Sequence, residues 1–445
     1  MDQTQAGKLR RMKGASDAAT DSEDRRAFIR IAAVTVGSLG LWPHGQALSL
    51  LASTAAVAPK FKVRTLTSGP KHHFFGYYGI PPWNKSGRHL ACLESDFQDH
   101  LPSENESAAI GLVNSRTGRF TKVAETRAWN LQQGAMLHWN PLAPETEILF
   151  NDRRDGEVVS VVLDVRTGKK RYLPRQIDGV SRNGRYALSL TSGRLARLRP
   201  VVGYVGAKDP NLSEPHPDTD GVFLMDLRTG ETKLVVSIAE TYRRLVKAHP
   251  ELTDRHMFFN HTVFNTNDTR FFFLARSFTP QGRLESAMFT ANLDGSDLRE
   301  VVPYGNGVSH FEWRNPQEIL ATFRFGGDEI KHVLFTDGKQ DYRSIGEGFL
   351  VGDGHCSFAP DGKWIVTDRN HAETLEKSLM IYNVETKQGI KLGTFPMWEK
   401  RYFNSDLRCD LHPRWSRTGA GICFDALETT NWTRQLHIAY LDFAE

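Results

Sequence analysis

One pattern recurs four times in the second half of the chain and limits its fold more than any other feature. Each copy has a histidine, two further residues, an aromatic residue, a turn and then an apolar run such as FFFLAR or KWIVTD. The histidines are His261, His310, His355 and His412, at intervals of 49, 45 and 57 residues. A unit of short strands that repeats at such a period is typical of a propeller blade.

Three weaker copies precede these four. They contain Trp83, Trp139 and Ser181 and lead into the apolar runs HLACLES, EILFND and RYALSL. Segments that read as strand, Thr-Gly or Asp-Gly turn, and strand also recur, and we interpret them as the outer halves of successive blades. The seven copies predict an all-β fold, a seven-bladed β-propeller. Residues 60–69 predict a strand that closes the ring against the last blade and so removes an exposed sheet edge.

Residues 1–58 lack the repeat and have the pattern of a targeting segment. Residues 1–58 predict an export signal with a disordered N-terminus, and residues 59–445 predict a single propeller domain. Arg25 and Arg26 precede a moderately apolar stretch and then a small-residue region, as in a twin-arginine signal. The apolar stretch is shorter than the roughly 20 residues of a spanning helix, although an N-terminal anchor is the alternative. We expect export by the twin-arginine translocase, a periplasmic or secreted location, and no membrane span in the mature form.

Composition narrows the function. The net charge of +4 fits an anionic ligand, but no basic patch interleaved with aromatic residues indicates nucleic-acid binding. The four cysteines have no zinc-finger spacing. No nucleophile elbow and no glycine-rich phosphate loop is present, so hydrolysis by a serine triad has no motif support.

The repeated histidines form the first candidate site. Inner strands line the axis of a propeller, so we expect equivalent positions in adjacent blades to face one another across the channel. The candidate metal ligands are His261, His310, His355, His412 and, as an alternative, Cys409. Imidazoles converging there suit a divalent cation, and Asp353 and Asp410 are candidate oxygen ligands or partners of the histidines. The other interpretation is that these histidines bond neighbouring backbones or face a substrate.

A second candidate site starts in residues 71–83, which combine two histidines with many aromatic residues and which we interpret as a pocket-lining loop. The candidate catalytic residues are His73, Tyr77, Tyr78, His138 and Arg154. The candidate substrate-binding residues are His72, Arg153, Arg199 and Tyr204. An arginine beside a substrate carboxylate acidifies the α proton, one histidine removes it, and a second histidine or a tyrosine protonates the leaving oxygen. The alternative is a set of unrelated residues at the rim.

Five motifs together resemble a family. They are HHFFGYYGIPPW, MLHWNP with ILFNDR, NHTVFN, DGHCSFAPDGKW and CDLHPRWS. They look like the motifs of seven-bladed propeller polysaccharide lyases: the ulvan lyases, the rhamnose–glucuronate lyases and, more distantly, oligogalacturonate lyase. The resemblance extends from about residue 70 to residue 445. It implies β-elimination beside a uronic acid, which leaves an unsaturated sugar.

The resemblance also implies roles for single residues. His73 is similar to the family's catalytic histidine, and Arg154 to the arginine that neutralises the carboxylate. His138 stands where the family is expected to carry a catalytic tyrosine, a departure that implies a different pH dependence. In the oligogalacturonate lyases, inner-strand histidines hold a metal that binds the carboxylate. The positions that match this arrangement are His310, His355 and His412, with His261 a fourth.

The sequence therefore predicts an exported lyase that acts on an anionic poly- or oligosaccharide containing uronic acid. We expect a divalent cation, such as zinc, manganese or calcium. Two alternatives stay open. One is a non-catalytic propeller, like the periplasmic TolB scaffolds, that binds protein or glycan. The other is a metal-dependent hydrolase or oxidoreductase on the same ring.

Overall fold

The computed structural model describes residues 58–443, so the predicted export signal lies outside the described residues. Seven four-stranded antiparallel sheets follow one another along the chain. The first strand of each is innermost, and inner strands of neighbouring blades contact one another around a central channel. The predicted seven-bladed β-propeller is confirmed.

The strands of the first three blades follow the first strand of the chain, β1 (Lys60–Thr65). The first blade contains β2 (His72–Phe74), β3 (His89–Ser95), β4 (Ala108–Asn114) and β5 (Phe120–Thr126). The second contains β6 (His138–Trp139), β7 (Glu147–Arg154), β8 (Glu157–Asp164) and β9 (Lys170–Leu173). The third contains β10 (Gly179–Val180), β11 (Tyr186–Ser189), β12 (Gly221–Asp226) and β13 (Thr232–Ser237).

The remaining four blades contain the four strong copies of the repeat. The fourth contains β14 (Phe258–Phe264), β15 (Arg270–Phe278), β16 (Leu284–Asn292) and β17 (Arg299–Val302). The fifth contains β18 (Phe311–Trp313), β19 (Glu318–Arg324), β20 (Ile330–Thr336) and β21 (Arg343–Ile345). The sixth contains β22 (Ser357–Phe358), β23 (Trp364–His371), β24 (Glu376–Asn383) and β25 (Gly389–Pro396). The seventh contains β26 (Arg414–Trp415), β27 (Gly421–Leu427), β28 (Arg434–Asp442) and, as its outermost strand, β1.

The core lies between blades. One cluster joins Phe272 and Met288 of the fourth blade to Phe311, Ile319 and Phe335 of the fifth. A middle strand packs against a neighbour on each face, so its residues are buried on both sides, which explains the continuous apolar runs of the repeat. Burial of these runs is the main stabilising contribution to the ring.

A tryptophan of the repeat connects three of the blades to the blade before it. The indole N–H of Trp139 donates to the carbonyl of Pro82, that of Trp313 to Val263, and that of Trp415 to Ser357. Each bond joins an inner strand to the end of the preceding inner segment. A buried indole needs such an acceptor, so a tryptophan at this place supplies both apolar area and a specific link.

Strand β1 closes the ring as the sequence predicts. It pairs with β28 from Lys60 opposite Asp442 to Thr65 opposite His437. The paired termini leave no open edge between the last blade and the first.

Helices are few. α1 (Ser192–Leu198) and a 3₁₀ turn (Pro200–Val202) lie in the long β11–β12 connection. Residues 238–256 contain α2 (Ile238–Leu245) followed by a 3₁₀ turn (Pro250–Asp254), and α3 (Lys400–Phe403) lies before the seventh blade. Within residues 58–443, none of the helices has the length and apolarity needed to cross a membrane.

Candidate functional site

Three repeat histidines meet at the axis. Their ring centroids are 3.9 Å apart for His310 and His355 and 4.4 Å apart for His355 and His412. Each lies just before the inner strand of its blade, at the face of the ring where inner strands begin, which we call the histidine face. Equivalent places in the fifth, sixth and seventh blades therefore converge, as the repeat indicates.

Carboxylates orient two of these rings. His310 Nδ1 lies 2.7 Å from Asp353 Oδ1, and His355 Nδ1 lies 2.9 Å from Asp368 Oδ2. With Nδ1–H donating to a carboxylate, the Nε2 atom of each ring carries the lone pair that binds a metal or accepts a proton. Gly354 makes the second pair possible, because a Cβ there would come within 2.2 Å of the Asp368 carbonyl oxygen.

Asp410 completes a group that fits a divalent cation. Its Oδ2 lies 4.0 Å from Nε2 of both His355 and His412, and one ligand atom from each of the three lies within 4.8 Å of the others. His412 Nδ1 is buried without a partner. Two imidazoles and a carboxylate around one point suit zinc, manganese or iron, and leave positions for water or substrate.

The buried Lys377 and the half-buried Arg408 keep the Asp410 carboxyl charged. Lys377 Nζ and Arg408 Nε both donate to it, at 2.5 and 2.6 Å. Burial opposes ionisation, yet the two cations hold the pKa of Asp410 well below its ordinary value. Asp410 is therefore fixed in its ionised form, which is the form of a carboxylate that ligates a metal ion.

The histidines differ in their electrostatics. Burial alone lowers the pKa of His355, but Asp368 and Asp410 outweigh it and raise that pKa. Burial lowers the pKa of His310 despite Asp353, and lowers that of His412 well below its ordinary value. A neutral imidazole is the form that ligates a metal or takes up a proton.

His261 lies beside this group and contacts different side chains. Its Nδ1 lies 3.0 Å from Tyr77 Oη and 3.2 Å from Gln133 Nε2, and its ring stacks on Tyr77 at 5.5 Å. It occupies a bulge in the β14–β15 pairing with a φ of 58°, a left-handed conformation that directs the side chain out of the regular alternation. His261 is not one of the three residues of the cation group.

Tyr77 and Tyr78 form a floor beneath the histidines. Tyr78 is buried, with ring centroids 5.2 Å from His355 and 5.8 Å from His310, and its hydroxyl accepts from the backbone N–H of Phe311. Burial raises the pKa of both tyrosines, so both hydroxyls keep their protons. The loop approaches the next connection closely: a Cβ on Gly76, whose φ is +100°, would come within 2.7 Å of the Gln133 backbone.

A cavity of about 750 Å³ lies on the other side of this floor. Tyr77, Ile80 and Pro81 line it, so residues 71–83 do line a pocket. His138 also lines it; its Nε2 is buried without a partner, and burial lowers its pKa to about 3. His138 is therefore separated from the cation group by Tyr77 and Tyr78, and it is neutral at physiological pH.

Two arginines that approach the histidines are poorly neutralised. Arg276 is buried, donating to Ser286 Oγ and to the carbonyl of Val308, and burial with the charge of Arg199 lowers its pKa to about 9. Burial also lowers the pKa of Arg199 to about 10, and its Nε has no partner. The carbonyl of Val308 lies two residues before His310, and Arg276 also lowers the pKa of His261, so this positive charge lies beside the histidine face. Such cations favour an anionic ligand.

His72 and His73 lie at the seam between the first and last blades. His73 Nδ1 lies 3.0 Å from Gln435 Oε1 and its Nε2 lies 3.2 Å from Glu94 Oε2. His72 Nδ1 accepts from the backbone N–H of Arg434, and burial lowers its pKa to about 4. Both rings hold β2 and β3 against β28, and the structure brings neither of them to the cation group.

The second-blade residues lie apart as well. Arg154 is mostly exposed, with its guanidinium 4.8 Å from the ring of Tyr172 and beside Asp155. Arg153 donates to the carbonyls of Arg127 and Val205. The buried Tyr204 hydroxyl accepts from Asn151 Nδ2 at 2.8 Å. Of the predicted substrate-binding residues, Arg199 is the one that the structure places beside the histidine face.

Cys409 is buried next to Asp410 but is not in the cation group. Burial raises the pKa of its thiol to about 12, and its backbone N–H donates to the carbonyl of Tyr402. Of these two candidates, Asp410 is the one that lies in the cation group. Sequence reasoning missed Asp368 and Arg276; the charged residue that ends each of the runs WIVTD and FFFLAR was the available signal.

Comparison with known proteins supports the fold. No protein-family model matches the chain, and no curated protein sequence matches it. Its structure is similar to that of oligogalacturonate lyase from Vibrio parahaemolyticus, with a TM-score of 0.59 and 14% identity over 86% of this chain and 97% of that one.

More distant similarities involve other propellers. TolB from Acinetobacter baumannii gives a TM-score of 0.39 and 13% identity, over 65% of this chain and 60% of that one. The tricorn protease gives a TM-score of 0.47 and 11% identity, over 81% of this chain and 33% of that one. At these identities the likeness is one of fold, so function has to be argued from the site.

Proposed function

We propose that the protein is a lyase that cleaves a uronic-acid-containing oligo- or polysaccharide by β-elimination at the histidine face. The observation that carries the proposal is the convergence of His310, His355, His412 and Asp410 beside the poorly neutralised Arg199 and Arg276. A carboxylate-bearing sugar needs a positive environment, a base and a proton donor, and each is available within this one region.

The reaction breaks the C–H bond next to the substrate carboxylate and the bond from the neighbouring carbon to the glycosidic oxygen. A C=C bond forms between the two carbons, and the leaving oxygen takes up a proton. The α proton is weakly acidic while the carboxylate keeps its full charge. Arg199 and Arg276 lower the energy barrier to removal of this proton, because they neutralise the carboxylate as negative charge develops on it.

His310 is the residue that we assign to proton abstraction. Its Nδ1–H donates to Asp353, so its Nε2 is the proton acceptor, and Asp353 stabilises the imidazolium that forms. Burial keeps His310 neutral before the reaction. Tyr77 and Tyr78 keep their hydroxyl protons. Tyr78 lies beside His310 and Tyr77 beside His261, and we assign to one of them the role of proton donor to the leaving oxygen.

A divalent cation held by His355, Asp410 and His412 would supply a further positive charge for the substrate carboxylate. The cation group lies next to His310 and leaves it free to accept a proton, since His310 is not one of the three ligands. The assignment replaces the roles predicted for His73, His138 and Arg154. His73 is bonded at the blade seam, His138 lines the opposite cavity, and Arg154 lies at the exposed end of β7.

The test is ultraviolet absorbance of the conjugated double bond in an unsaturated uronate. The chain from residue 59 onward is mixed with polygalacturonate fragments, glucuronan, gum arabic and ulvan, with and without chelator. We expect a rise with at least one substrate and its loss on substitution of His310 by alanine. Bound metal without elimination would favour the hydrolase or oxidoreductase, and neither metal nor elimination would favour a binding scaffold.

Export by the twin-arginine translocase remains part of this proposal. A saccharide of this kind is met outside the cytoplasm, and Arg25–Arg26 with the apolar stretch after them support that route. The experiment is fractionation of cells that express the full chain or an Arg25→Lys, Arg26→Lys variant. We expect the variant to stay in the cytoplasm.

A further inference from the structure

Three aromatic rings lie nearly parallel on the histidine face. The ring of Trp398 is 5.9 Å from that of Tyr402, at an interplanar angle of 9°, and 6.2 Å from that of Trp432, at 14°. Trp398 is 48% exposed although it is among the largest apolar side chains of the protein. We call Trp398, Tyr402 and Trp432 the aromatic platform.

The platform belongs to the connection that delivers two of the candidate metal ligands. Trp398 and Tyr402 lie in residues 397–413, which run from β25 to the inner strand of the seventh blade and end with Asp410 and His412. The backbone N–H of Cys409 donates to the carbonyl of Tyr402 at 2.8 Å, so the chain folds back on itself there. One hydrogen bond therefore connects the platform to the residue that precedes Asp410.

Basic side chains flank the rings. The guanidinium of Arg401 lies 4.8 Å from the Tyr402 ring and 6.0 Å from the Trp398 ring, and it pairs with Glu399. The neighbouring Lys400 is exposed. An exposed flat ring next to positive charge offers a stacking surface with a place for an anionic group.

We propose that the aromatic platform is a subsite for a pyranose ring of the anionic saccharide, one or more units beyond the bond that is cleaved. The inference rests on the proposed function and extends it from the reacting sugar to the length of the chain that is bound. Trp398 supplies a flat face for the axial C–H groups of a sugar. Lys400 and Arg401 face the carboxylate of that sugar.

The geometry favours a saccharide over a protein partner. The exposed part of the platform is small, and two of its rings, Trp398 and Tyr402, belong to the loop that leads to Asp410 and His412. Tyr402 is packed into the core of the sixth and seventh blades and Trp432 packs against that core, so the two rings beside Trp398 are held in place before a ligand arrives.

The experiment compares Trp398→Ala with Trp398→Phe, which keeps a stacking ring. The matched control is Tyr172→Ala, which removes an exposed aromatic ring from β9, in another blade. Steady-state kinetics are measured on galacturonate and glucuronate oligosaccharides of defined lengths from two units upward. We expect Trp398→Ala to raise KM about tenfold for the longer oligosaccharides, with kcat unchanged and the shortest cleaved substrate unaffected. Trp398→Phe retains most of the affinity, and the control behaves as wild type.

Calorimetric binding of the same oligosaccharides separates the two proposals. If the wild type binds them without cleaving them and Trp398→Ala binds about tenfold more weakly, the platform stands and the lyase assignment fails. If the wild type cleaves them and Trp398→Ala has the same KM at every length, the platform is overturned and the lyase assignment stands. A change in sedimentation of Trp398→Ala without a change in saccharide affinity also overturns the subsite, because it assigns the rings to contact between copies of the chain.

Discussion

His310 Nδ1 lies 2.7 Å from Asp353 Oδ1, and this pair fixes which nitrogen of the ring faces the substrate side of the site. Thr322 donates to the same carboxylate oxygen at 2.5 Å and holds it in place. The carboxylate is therefore positioned before the imidazole changes its charge.

Substitution of Asp353 by asparagine should lower kcat roughly a hundredfold and leave KM little changed, because the His310 imidazolium loses its counter-charge. Steady-state kinetics on a cleaved saccharide measure this. The acidic limb of the pH profile of kcat should shift to lower pH, because Asp353 raises the pKa of His310 and its loss lowers that pKa. Asp328→Asn, at an exposed turn, is the control. An unchanged kcat in Asp353→Asn would remove His310 from the role of base.

Metal binding can be tested independently of activity. His412→Gln removes one member of the cation group while His355 and Asp410 remain, so the bound metal per chain should fall from near one to near zero after dialysis. In wild type, chelator should lower the midpoint of thermal unfolding, and in the variant it should have no effect. His371→Gln, on β23, is the control. Equal metal content in His412→Gln and wild type would contradict the site.

Arg434 and Asp425 form a salt bridge at 2.6 Å with neither side chain exposed. Arg434 also donates to the carbonyl of Leu131 and covers the ring of Phe74, so it joins the last blade to the first and second. Arg434→Met leaves the Asp425 carboxyl buried and unpaired, which should reduce the free energy of unfolding by about 3–5 kcal/mol.

Urea unfolding measures this change. The double variant Arg434→Met, Asp425→Leu should recover much of the loss, since it removes the unpaired charge as well. A single variant as stable as wild type would show that packing, and not the ion pair, holds the seam.

The stability should also depend on His138. Its pKa is about 3 in the folded protein and about 6.5 when unfolded, so the unfolded chain takes up a proton first as the pH falls. The resulting stability is present above pH 6.5 and lost as the pH falls toward 3. Between pH 7.5 and pH 5 the loss from this residue is about 2 kcal/mol. In His138→Phe the difference between urea unfolding at the two pH values should be smaller by that amount, whatever the absolute stability of the variant. Equal differences would mean that His138 is solvated.

Much of the fold and part of the site could be predicted from the sequence. The repeated unit of short strands places His310, His355 and His412 at equivalent positions in their blades. The circular arrangement of the blades then brings the three histidines together. The closing strand could also be predicted, because an apolar segment before the first repeat had one edge left to pair with. These features depend on the repeat alone.

Other features depend on contacts that no local pattern encodes. His73 starts a strand like a catalytic residue, but its partner Gln435 comes from the far end of the chain, and that contact makes it a seam residue. Cys409 and Asp410 are neighbours in sequence, and the hydrogen bond to Tyr402 decides which of them faces the axis. Arg276 ends an apolar run, and although a charge at that place is a signal, it does not by itself show that the guanidinium is buried.

The pairing of β1 with β28 also has a kinetic consequence. It joins Lys60–Thr65, among the first residues of the domain to be synthesised, to a partner that is among the last. The six blades between them can fold from local hairpins, but the seventh stays one strand short until the whole domain has been made. Closing so large a loop is entropically costly and makes this the contact of greatest sequence separation, so ring closure should be the late, slow event in folding. Until then β28 has an unpaired edge, and β1 of a second copy of the chain can pair with it. Refolding at high protein concentration should therefore produce strand-exchanged dimers.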